Sequence, residues 1–325
     1  MKAIVNTAPN ELKWLDWPLP EPGHGQVRIR TGACGICATD IFMIAGWERT
    51  GYPSIPGHEW AGIVDAVGEG IDPGLVGMHC VANNVLADGG EVGFEHPGGY
   101  GECFLTEADK LLALPGSFPL STAVLIEPLA VCVRALRRLR LEDRRAALIF
   151  GDGPIGLILV MLLRQAGVEQ ISLVGGREGR LVLAEGLGAG RVINYHTLPG
   201  ELSSSLAAMI PPPPNIFEAS GSAAAMQAAM NLAGHGGKVS VIGDYGEGRA
   251  GFLWNQVLHK ELEIIGSNAH AGAWEEAVRL AVEDVLPLDR LVTHRLPAAQ
   301  FTQGVALTAG RSGEVVKVVL DWSTG

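Results

Sequence analysis

Two residues in the first quarter of the chain, Cys37 and His58, carry side chains that can bind a metal ion. Short polar residues stand beside them in the sequence, at Thr39, Asp40 and Glu59. Thiolate and imidazole together suit zinc, and a catalytic zinc ion takes three protein ligands and keeps one coordination position open. Either side chain can equally be packed or solvated, and Cys37 could form a redox pair with the cysteine three residues before it.

A second stretch, residues 150–156, fits the pattern Gly-x-Gly-x-x-Gly between an apolar strand and a helix. The first glycine makes a tight turn, the second lets the backbone approach a pyrophosphate, and the third lets helix and strand pack closely. The helix N-terminus then offers amide donors to the phosphates. An ordinary strand-to-helix turn is the alternative. The predicted cofactor contacts in this loop are Gly151, Gly153, Pro154, Ile155 and Gly156.

The end of the next strand bears on which nicotinamide cofactor binds. An NAD site places Asp or Glu about 20 residues after the glycine loop, where it binds the ribose 2′-hydroxyl. Here the sequence is Gly175-Gly176-Arg177, so no carboxylate repels a 2′-phosphate and Arg177 can pair with one. Two alternatives stay open, since Arg177 could be solvated and Glu178 could serve a ribose.

Hydrophobic periodicity changes near residue 120. Before it, short apolar strands alternate with turns rich in glycine and proline, which predicts a β-rich, barrel-like domain. Thr122–Leu139 has helical spacing, and from Ala146 strands alternate with helices, which predicts a parallel, doubly wound sheet. The strands predicted for that sheet are Ala146–Phe150, Ile171–Val174, Arg191–Asn194, Ile216–Ala219, Val239–Ile242 and Leu262–Ile265.

Composition narrows the class of protein. The chain has 325 residues, enough for two domains, and its formal charge of −11 argues against a nucleic-acid surface. Five irregularly spaced cysteines and the absence of a visible signal peptide predict a reduced, cytoplasmic protein. The most apolar run is far shorter than the roughly 20 residues of a membrane span.

Two strings around the metal-binding residues, 35–40 and 57–59, resemble the zinc-ligand motifs of the medium-chain alcohol and polyol dehydrogenases. Weaker likenesses in family order continue to residues 315–320, so the resemblance spans nearly the whole chain. It implies an α/β fold with a discontinuous, β-rich GroES-like catalytic domain over residues 1–130 and 287–325. A Rossmann domain over residues 131–286 is inserted between the two parts.

The resemblance also implies a set of zinc ligands. The polyol branch of the family takes its third ligand from a Glu-Pro-Leu string, and this chain has Glu127 in such a string. An unpaired carboxylate in so apolar a run is costly, which a metal or a buried arginine partner would offset. Cys37, His58 and Glu127 are therefore the predicted ligands of one catalytic zinc ion.

Three further residues take roles by the same resemblance. Asp40 matches the carboxylate that orients the ligand histidine, and Glu59 lies beside the metal in the family. Thr39 matches the residue whose hydroxyl carries the substrate proton toward the nicotinamide ribose. Many relatives have a histidine three positions later that passes the proton to solvent, but this chain has Phe42 there, so that exit is absent.

Two more features concern the cofactor and a second metal. Gly175-Gly176-Arg177 resembles the Gly-Ser-Arg string of NADP-dependent secondary alcohol dehydrogenases, in which a tyrosine matching Tyr195 touches the 2′-phosphate. We therefore predict NADP in preference to NAD. Relatives commonly hold a structural zinc on four closely spaced cysteines, whereas the stretch from Cys80 to Cys103 has thiols only at its ends. We therefore predict no structural zinc.

These inferences predict a zinc-dependent enzyme that transfers a hydride between NADP and a secondary alcohol, namely a polyol, sugar or cyclitol. The resemblance implies that zinc acts on the substrate oxygen as a Lewis acid. It also implies a homodimer or homotetramer, with neither nucleic acid nor membrane as partner. Two alternatives remain: a zinc-free reductase of an activated double bond, and a non-catalytic NADP(H)-binding sensor.

Overall fold

The computed structural model describes residues 1–47, 49, 51–283, 285–310 and 312–323. The chain divides into two compact units. The first unit consists of Met1–Glu127, Trp274–Asp284 and Leu288–Gly325, and the second of Pro128–Ala273 and Val285–Pro287. Each unit has its own hydrophobic core.

Strands and helices are numbered in chain order. The strands among the described residues are β1 Lys2–Ala8, β2 Glu11–Asp16, β3 Gln26–Ile36, β4 Glu59–Val67, β5 His79–Ala82, β6 Cys103–Glu107, β7 Leu111–Ala113, β8 Ala146–Phe150, β9 Gln170–Gly175, β10 Arg191–Asn194, β11 Asn215–Glu218, β12 Lys238–Val241, β13 Glu263–Gly266, β14 Val292–Pro297 and β15 Lys317–Asp321. The α-helices there are α1 Ala38–Ala45, α2 Leu120–Ala123, α3 Ile126–Leu139, α4 Pro154–Gln165, α5 Glu178–Leu187, α6 Leu202–Ala207, α7 Ala223–Leu232, α8 Trp254–Lys260, α9 Trp274–Val282 and α10 Phe301–Gly310. Among the described helices, none is both long and apolar enough to cross a membrane.

The first unit is built on a seven-stranded sheet with the order β14-β15-β3-β4-β5-β7, and β6 also pairs with β3. These pairs are antiparallel except for β14 with β15, which are parallel. β3 is central to this sheet because it pairs with β15, β4 and β6. Along β3, Val27 and Ile29 point into the core while Arg28 and Arg30 point away from it. Such alternation is typical of a sheet with one buried face. β3 ends at Ile36, directly before the predicted ligand Cys37.

The second unit contains six parallel strands in the order β10-β9-β8-β11-β12-β13. This is the doubly wound order of a dinucleotide-binding fold, so the predicted fold class is confirmed. Each of the six predicted strands lies within about one residue of its predicted position. β8 is a continuous apolar, buried run, as expected for a strand of a parallel sheet covered on both faces, and α4 is apolar and buried along most of its length.

One helix differs from its prediction. The segment expected as a single helix over Thr122–Leu139 is divided into α2 and α3, with a break at residues 124–125. Pro128 supplies the reason, because a proline ring inside a helix clashes with the carbonyl four residues earlier and has no N–H to donate. A new helix must therefore begin just before it. Glu127 lies in the first turn of that helix.

Candidate metal and dinucleotide sites

The first unit places Cys37 at the start of α1. Cys37 is the residue before the helix, and its backbone N–H donates to Asp40 Oδ2 at 2.8 Å. This hydrogen bond is one half of a capping box, in which an acidic side chain at the third helical position accepts from the backbone N–H of the residue before the helix. The Cys37 thiol donates to Thr39 Oγ1 at 3.5 Å. The helix N-terminus favours negative charge, which suits a thiolate ligand at this position.

Asp40 also faces the imidazole of His58. Asp40 Oδ1 lies 3.2 Å from His58 Nδ1, although the two atoms are not aligned for a hydrogen bond. Both side chains are buried. Burial alone would lower the pKa of His58, but the charge of Asp40 and contacts with Asp40 and Cys37 outweigh it and raise that pKa well above its ordinary value. With Nδ1 turned to Asp40, Nε2 is the nitrogen available to a metal ion.

A group of potential ligands forms around these residues. One ligand atom each from Cys37, His58 and Glu59 lies within 4.8 Å of the others. Both carboxylate oxygens of Glu59, however, accept hydrogen bonds from Lys317 Nζ, at 2.7 and 2.6 Å. A Cβ on Gly35 would lie 2.4 Å from Glu59 Oε2, so the glycine leaves room for this buried pair.

Glu127 is not one of those three residues, but the charges of His58 and Glu59 act on its carboxyl group. Burial raises the pKa of Glu127 to about 7, the charge of His58 lowers it, and the charge of Glu59 raises it further. A carboxyl group that is costly to ionise where it lies is one that a bound cation would stabilise in its charged form. Whether Glu127 or Glu59 is the third ligand therefore depends on the pairing of Glu59 with Lys317.

The donor set fits zinc in its chemistry. It combines a thiol, an imidazole beside a carboxylate, and two further carboxylates, which is a mixture of S, N and O donors that zinc accepts. His58 Nδ1 and Asp40 Oδ1 are both buried without an aligned hydrogen-bond partner. A ligand on the opposite ring nitrogen would fix the imidazole and its tautomer, as metal-bound histidines are fixed.

Lys317 is the functional residue that the sequence reasoning missed. It lies in β15, has 3% of its side chain exposed and pairs with Glu59, which is 2% exposed. Its signal is present in the sequence, because a lysine inside the apolar run Val315–Leu320 requires a charged partner. The sequence does not say which of the 35 acidic residues is that partner.

In the second unit the glycine loop has the expected local geometry. Gly151 has a φ of +116°, which favours glycine, and a Cβ on Gly156 would lie 1.9 Å from the Gly151 carbonyl oxygen. Around Gly153 a Cβ would meet nothing within 4 Å. α4 begins at Pro154, whose missing N–H costs nothing at a helix start. Open space before a helix N-terminus is what a pyrophosphate requires.

Asp152 occupies the place where an acidic side chain at position 175 would stand. A Cβ on Gly175 would lie 2.6 Å from the Asp152 Cβ and 2.7 Å from its Oδ2. Asp152 Oδ2 accepts hydrogen bonds from the backbone N–H groups of Gly176 and Arg177, at 2.9 and 2.8 Å. Asp152 Oδ1 accepts one from Arg177 Nη1 at 2.5 Å. The carboxylate thus comes from the glycine loop and is turned toward the protein.

Tyr195 lies close to the same turn. A Cβ on Gly176 would lie 2.7 Å from the Tyr195 ring, which is about half exposed. Glu178, the alternative ribose ligand, accepts a hydrogen bond from Asn194 Nδ2 at 3.2 Å. The structure therefore brings together Gly175, Gly176, Arg177 and Tyr195 at the ends of β9 and β10. What each of them binds stays a prediction.

Comparison with protein-family models gives two matches. Residues 23–116 match the model described as an alcohol dehydrogenase GroES-like domain. Residues 154–283 match the model described as a zinc-binding dehydrogenase. The first match contains Cys37 and His58, and the second begins at Pro154 in the glycine loop.

Individual relatives agree with these models. The chain is 30% identical to an L-threonine 3-dehydrogenase from Chelativorans sp. (strain BNC1), over 99% of each chain. It is 25% identical to galactitol 1-phosphate 5-dehydrogenase from Escherichia coli (strain K12), over 94% of this chain and 95% of the relative. Among solved structures, the alcohol dehydrogenase rspB from E. coli CFT073 in complex with NADH superposes with a TM-score of 0.92 at 25% identity, over 99% of each chain.

Proposed function

Because the chain belongs to the zinc-dependent medium-chain dehydrogenase family, we propose that this alcohol dehydrogenase acts on a polyol, sugar or cyclitol with NADP as its cofactor. The observation that carries the proposal is the convergence of the Cys37 thiol and the His58 imidazole, with Asp40 behind the imidazole. A zinc-free reductase or a cofactor sensor requires neither the thiol nor the oriented histidine.

Cys37, His58 and Glu127 would hold the catalytic zinc. Glu59 is the competing carboxylate, but both its oxygens are engaged by Lys317, so we assign it to the electrostatic support of the site. When bound, zinc supplies Lewis acidity at the substrate oxygen. The Asp40 carboxylate lies 3.2 Å from His58 Nδ1, and it also accepts a hydrogen bond from the Cys37 N–H at the start of α1.

Thr39 is the proposed proton carrier of the site. It is half-buried and accepts a hydrogen bond from the Cys37 thiol, which places its hydroxyl beside a metal ligand. A hydroxyl can both accept and donate a proton, so it can relay one away from the substrate oxygen. Phe42 is 53% exposed and cannot pass the proton on, so the exit must use another group or water.

We assign one zinc ion to each chain. The two cysteines that end the loop of the usual structural site, Cys80 and Cys103, are buried. The usual structural site needs four closely spaced cysteines, and the stretch from Cys80 to Cys103 supplies two.

NADP is the proposed cofactor because Gly175 supplies no carboxylate to the adenosine ribose. The Asp152 carboxylate, which fills that space, is 3% exposed and engaged by protein N–H groups. Arg177 keeps 30% of its side chain exposed. A guanidinium at this turn can bind a 2′-phosphate through paired hydrogen bonds, and Tyr195 stands close enough to join it.

The catalytic domain would comprise residues 1–130 and 287–325, and the nucleotide domain residues 131–286. A homodimer or homotetramer is proposed on a surface of the second unit. Leu253, Trp254 and Leu258 are each at least 70% exposed, and large exposed apolar patches mark association surfaces. Light scattering should give a mass at least twice 34.2 kDa, and a monomer would contradict the proposal.

The test of function is reduction of NADP and NAD by the zinc-loaded protein across simple alcohols, polyols, sugars and cyclitols. We expect turnover of one of the last three classes, with a higher kcat/KM for NADP than for NAD. Cys37→Ser should lose at least 1,000-fold in kcat/KM while still binding NADPH, because the cofactor site lies on other residues. Cys80→Ser is the matched control and should keep its activity.

Two results would contradict the proposal. Binding of NADPH without turnover of any alcohol would favour the sensor. Reduction of an activated double bond that persists in Cys37→Ser would favour the zinc-free reductase.

A further inference from the structure

A charged wall in the first unit stands beside the predicted ligand His58. It consists of Arg49, Glu91, Phe94 and Glu95, and we call it the acidic wall. The Phe94 ring centroid lies 4.8 Å from that of His58, and the Arg49 guanidinium carbon lies 4.4 Å from the Phe94 centroid. The Phe94 ring therefore lies next to both the Arg49 guanidinium and the imidazole of the predicted metal ligand His58.

The backbone of the acidic wall is pressed against the backbone that carries His58. At Gly93, where φ is +87°, a Cβ would lie 2.6 Å from the carbonyl carbon of Gly57 and from the His58 nitrogen. Asn84 ties the two segments together, because its side-chain amide donates to the His58 carbonyl at 2.8 Å and its own carbonyl accepts from Val92 N at 3.0 Å. The wall thus has a fixed position beside the ligand.

The three charged side chains of the wall leave a surplus of negative charge. Arg49 Nε donates to Glu95 at 2.6 Å, and Arg49 Nη2 donates to Glu91 at 2.6 Å and to Glu95 at 3.1 Å. One guanidinium thus faces two carboxylates, and all three side chains are partly exposed to solvent. An arginine that recognises a phosphate needs its donors turned to that phosphate. Arg49 instead turns two of its nitrogens to protein carboxylates.

We propose that the acidic wall selects a polyhydroxylated substrate that carries no phosphate or carboxylate group. The proposal rests on the polyol dehydrogenase function proposed above and specifies its substrate class. Carboxylate oxygens accept hydrogen bonds from sugar or polyol hydroxyls, whereas a phosphate dianion meets like charge. Building repulsion against the wrong substrate is a common source of specificity. In this respect the enzyme differs from its galactitol 1-phosphate dehydrogenase relative.

The experiment compares neutral polyols with their phosphate esters. Galactitol is paired with galactitol 1-phosphate, and myo-inositol with its 1-phosphate. Dissociation constants are measured by calorimetry on the full-length, zinc-loaded protein with NADPH bound, so that no oxidation occurs, and kcat/KM is measured separately with NADP. We expect each ester to bind at least tenfold more weakly than its parent polyol, in whichever pair is bound.

The variant E91Q/E95Q removes both negative charges and leaves Arg49 positive. The ester should then gain affinity, bringing the ratio of the two dissociation constants to within threefold. Glu283→Gln is the matched control, since Glu283 also accepts from an arginine, Arg279, at 2.7 Å, and both side chains are about half exposed. It should leave the ratio unchanged. Circular dichroism tests whether each variant is folded. If E91Q/E95Q does not fold, the single variant Glu91→Gln replaces it in the comparison.

The outcomes separate this proposal from the function on which it rests. An ester that binds as tightly as its parent and is oxidised with NADP would overturn the charge selection while leaving the dehydrogenase intact. A ratio unchanged in the folded Gln variants would also overturn it. Binding of neither member of any pair, with NADPH still bound, would overturn the polyol function and the charge selection together.

Discussion

Glu59 in the first unit and Asp152 in the second are both buried carboxylates, yet they are neutralised in different ways. Glu59 is 2% exposed and its partner Lys317 is 3% exposed, so the whole ion pair is out of water. Asp152 is 3% exposed, but its partner Arg177 keeps 30% of its side chain exposed. Asp152 also accepts two backbone N–H groups, whereas both oxygens of Glu59 depend on one ammonium group.

The buried pair of Glu59 and Lys317 supports the candidate metal site, whereas the pair of Asp152 and Arg177 presents a positive charge to solvent. A fully buried ammonium has no donor to offer a ligand, so Lys317 holds Glu59 in place beside the candidate metal ligands. The Arg177 guanidinium is partly exposed and is anchored at one end by Asp152, so it keeps a defined direction toward solvent. The first pair should therefore matter to folding, and the second to the choice of cofactor.

The largest effect is expected from Lys317→Met, which leaves Glu59 buried without its counter-charge. Breaking a buried pair by removing one partner costs about 3–5 kcal/mol in free energy of unfolding. The added change Glu59→Gln should restore part of the loss, because no uncompensated charge then remains. Urea unfolding followed by circular dichroism measures both.

Lys238→Met is the matched control for that prediction. Lys238 also lies in a strand, β12, and 13% of its side chain is exposed, but its partner Glu142, 3.2 Å away, is 79% exposed. Exposed pairs contribute about 1 kcal/mol or less. If the two lysine variants lose equal stability, the contrast between buried and exposed pairs is wrong.

A smaller effect is expected from Asp152→Asn. The amide keeps an oxygen for the two backbone N–H groups but presents an NH₂ to Arg177, which then loses its orientation. The KM for NADP should rise about five- to tenfold, which corresponds to about 1–1.4 kcal/mol, and the KM for NAD should rise less. Arg177→Ala should show the same selectivity, and the double variant should add little to either change.

The corresponding control is Asp143→Asn. Asp143 also pairs with an arginine, Arg145, at 2.6 Å, but that arginine is 79% exposed and lies away from the glycine loop. It should leave both KM values unchanged. An equal rise for NADP and NAD in Asp152→Asn would mean that Asp152 shapes the loop and does not act through Arg177.

The smallest effect is expected at Glu201, a carboxylate that has hydrogen bonds but no buried ion pair. It caps α6 by accepting from Ser203 N at 3.1 Å and Ser204 N at 2.9 Å, and hydrogen bonds from Ser203 and Ser204 lower its pKa to about 2. Because the folded-state pKa lies below the ordinary 4.5, its stabilisation is present above pH 4.5 and is lost as pH falls toward 2.

Glu201→Gln should therefore cost about 1 kcal/mol or less at pH 7. The difference from the unmodified protein should shrink when urea unfolding is repeated at pH 3.5. A difference that stays constant with pH would remove the carboxylate charge from the explanation.

The two carboxylates also show which contacts a sequence can predict. Asp152 and Arg177 follow β8 and β9, which are adjacent in a doubly wound sheet, so their proximity could have been inferred from strand order. Lys317 lies 258 residues from Glu59. The two residues meet because β15 and β4 both pair with β3, and no local pattern specifies which distant strands pair.

Other features of the fold and the site were also predictable where they depend on residues close in sequence, and not where they depend on distant segments. The doubly wound sheet was predictable because apolar strands, a glycine loop and helices recur at short range. The proximity of Cys37 to Asp40 was predictable as well, since they share one helix start. The helical spacing of Thr122–Leu139 predicted one helix, and the break before α3 depends instead on the single residue Pro128. The acidic wall depends on side chains from two separate loops, which spacing alone does not bring together.

The most direct test of the central claim is the zinc content per chain, measured by plasma mass spectrometry after dialysis against metal-free buffer. The account predicts about one zinc ion per chain in the unmodified protein and almost none in Cys37→Ser, with NADPH binding showing that the variant is folded. Two tightly held ions per chain, or zinc retained at full occupancy in the folded Cys37→Ser variant, would contradict it.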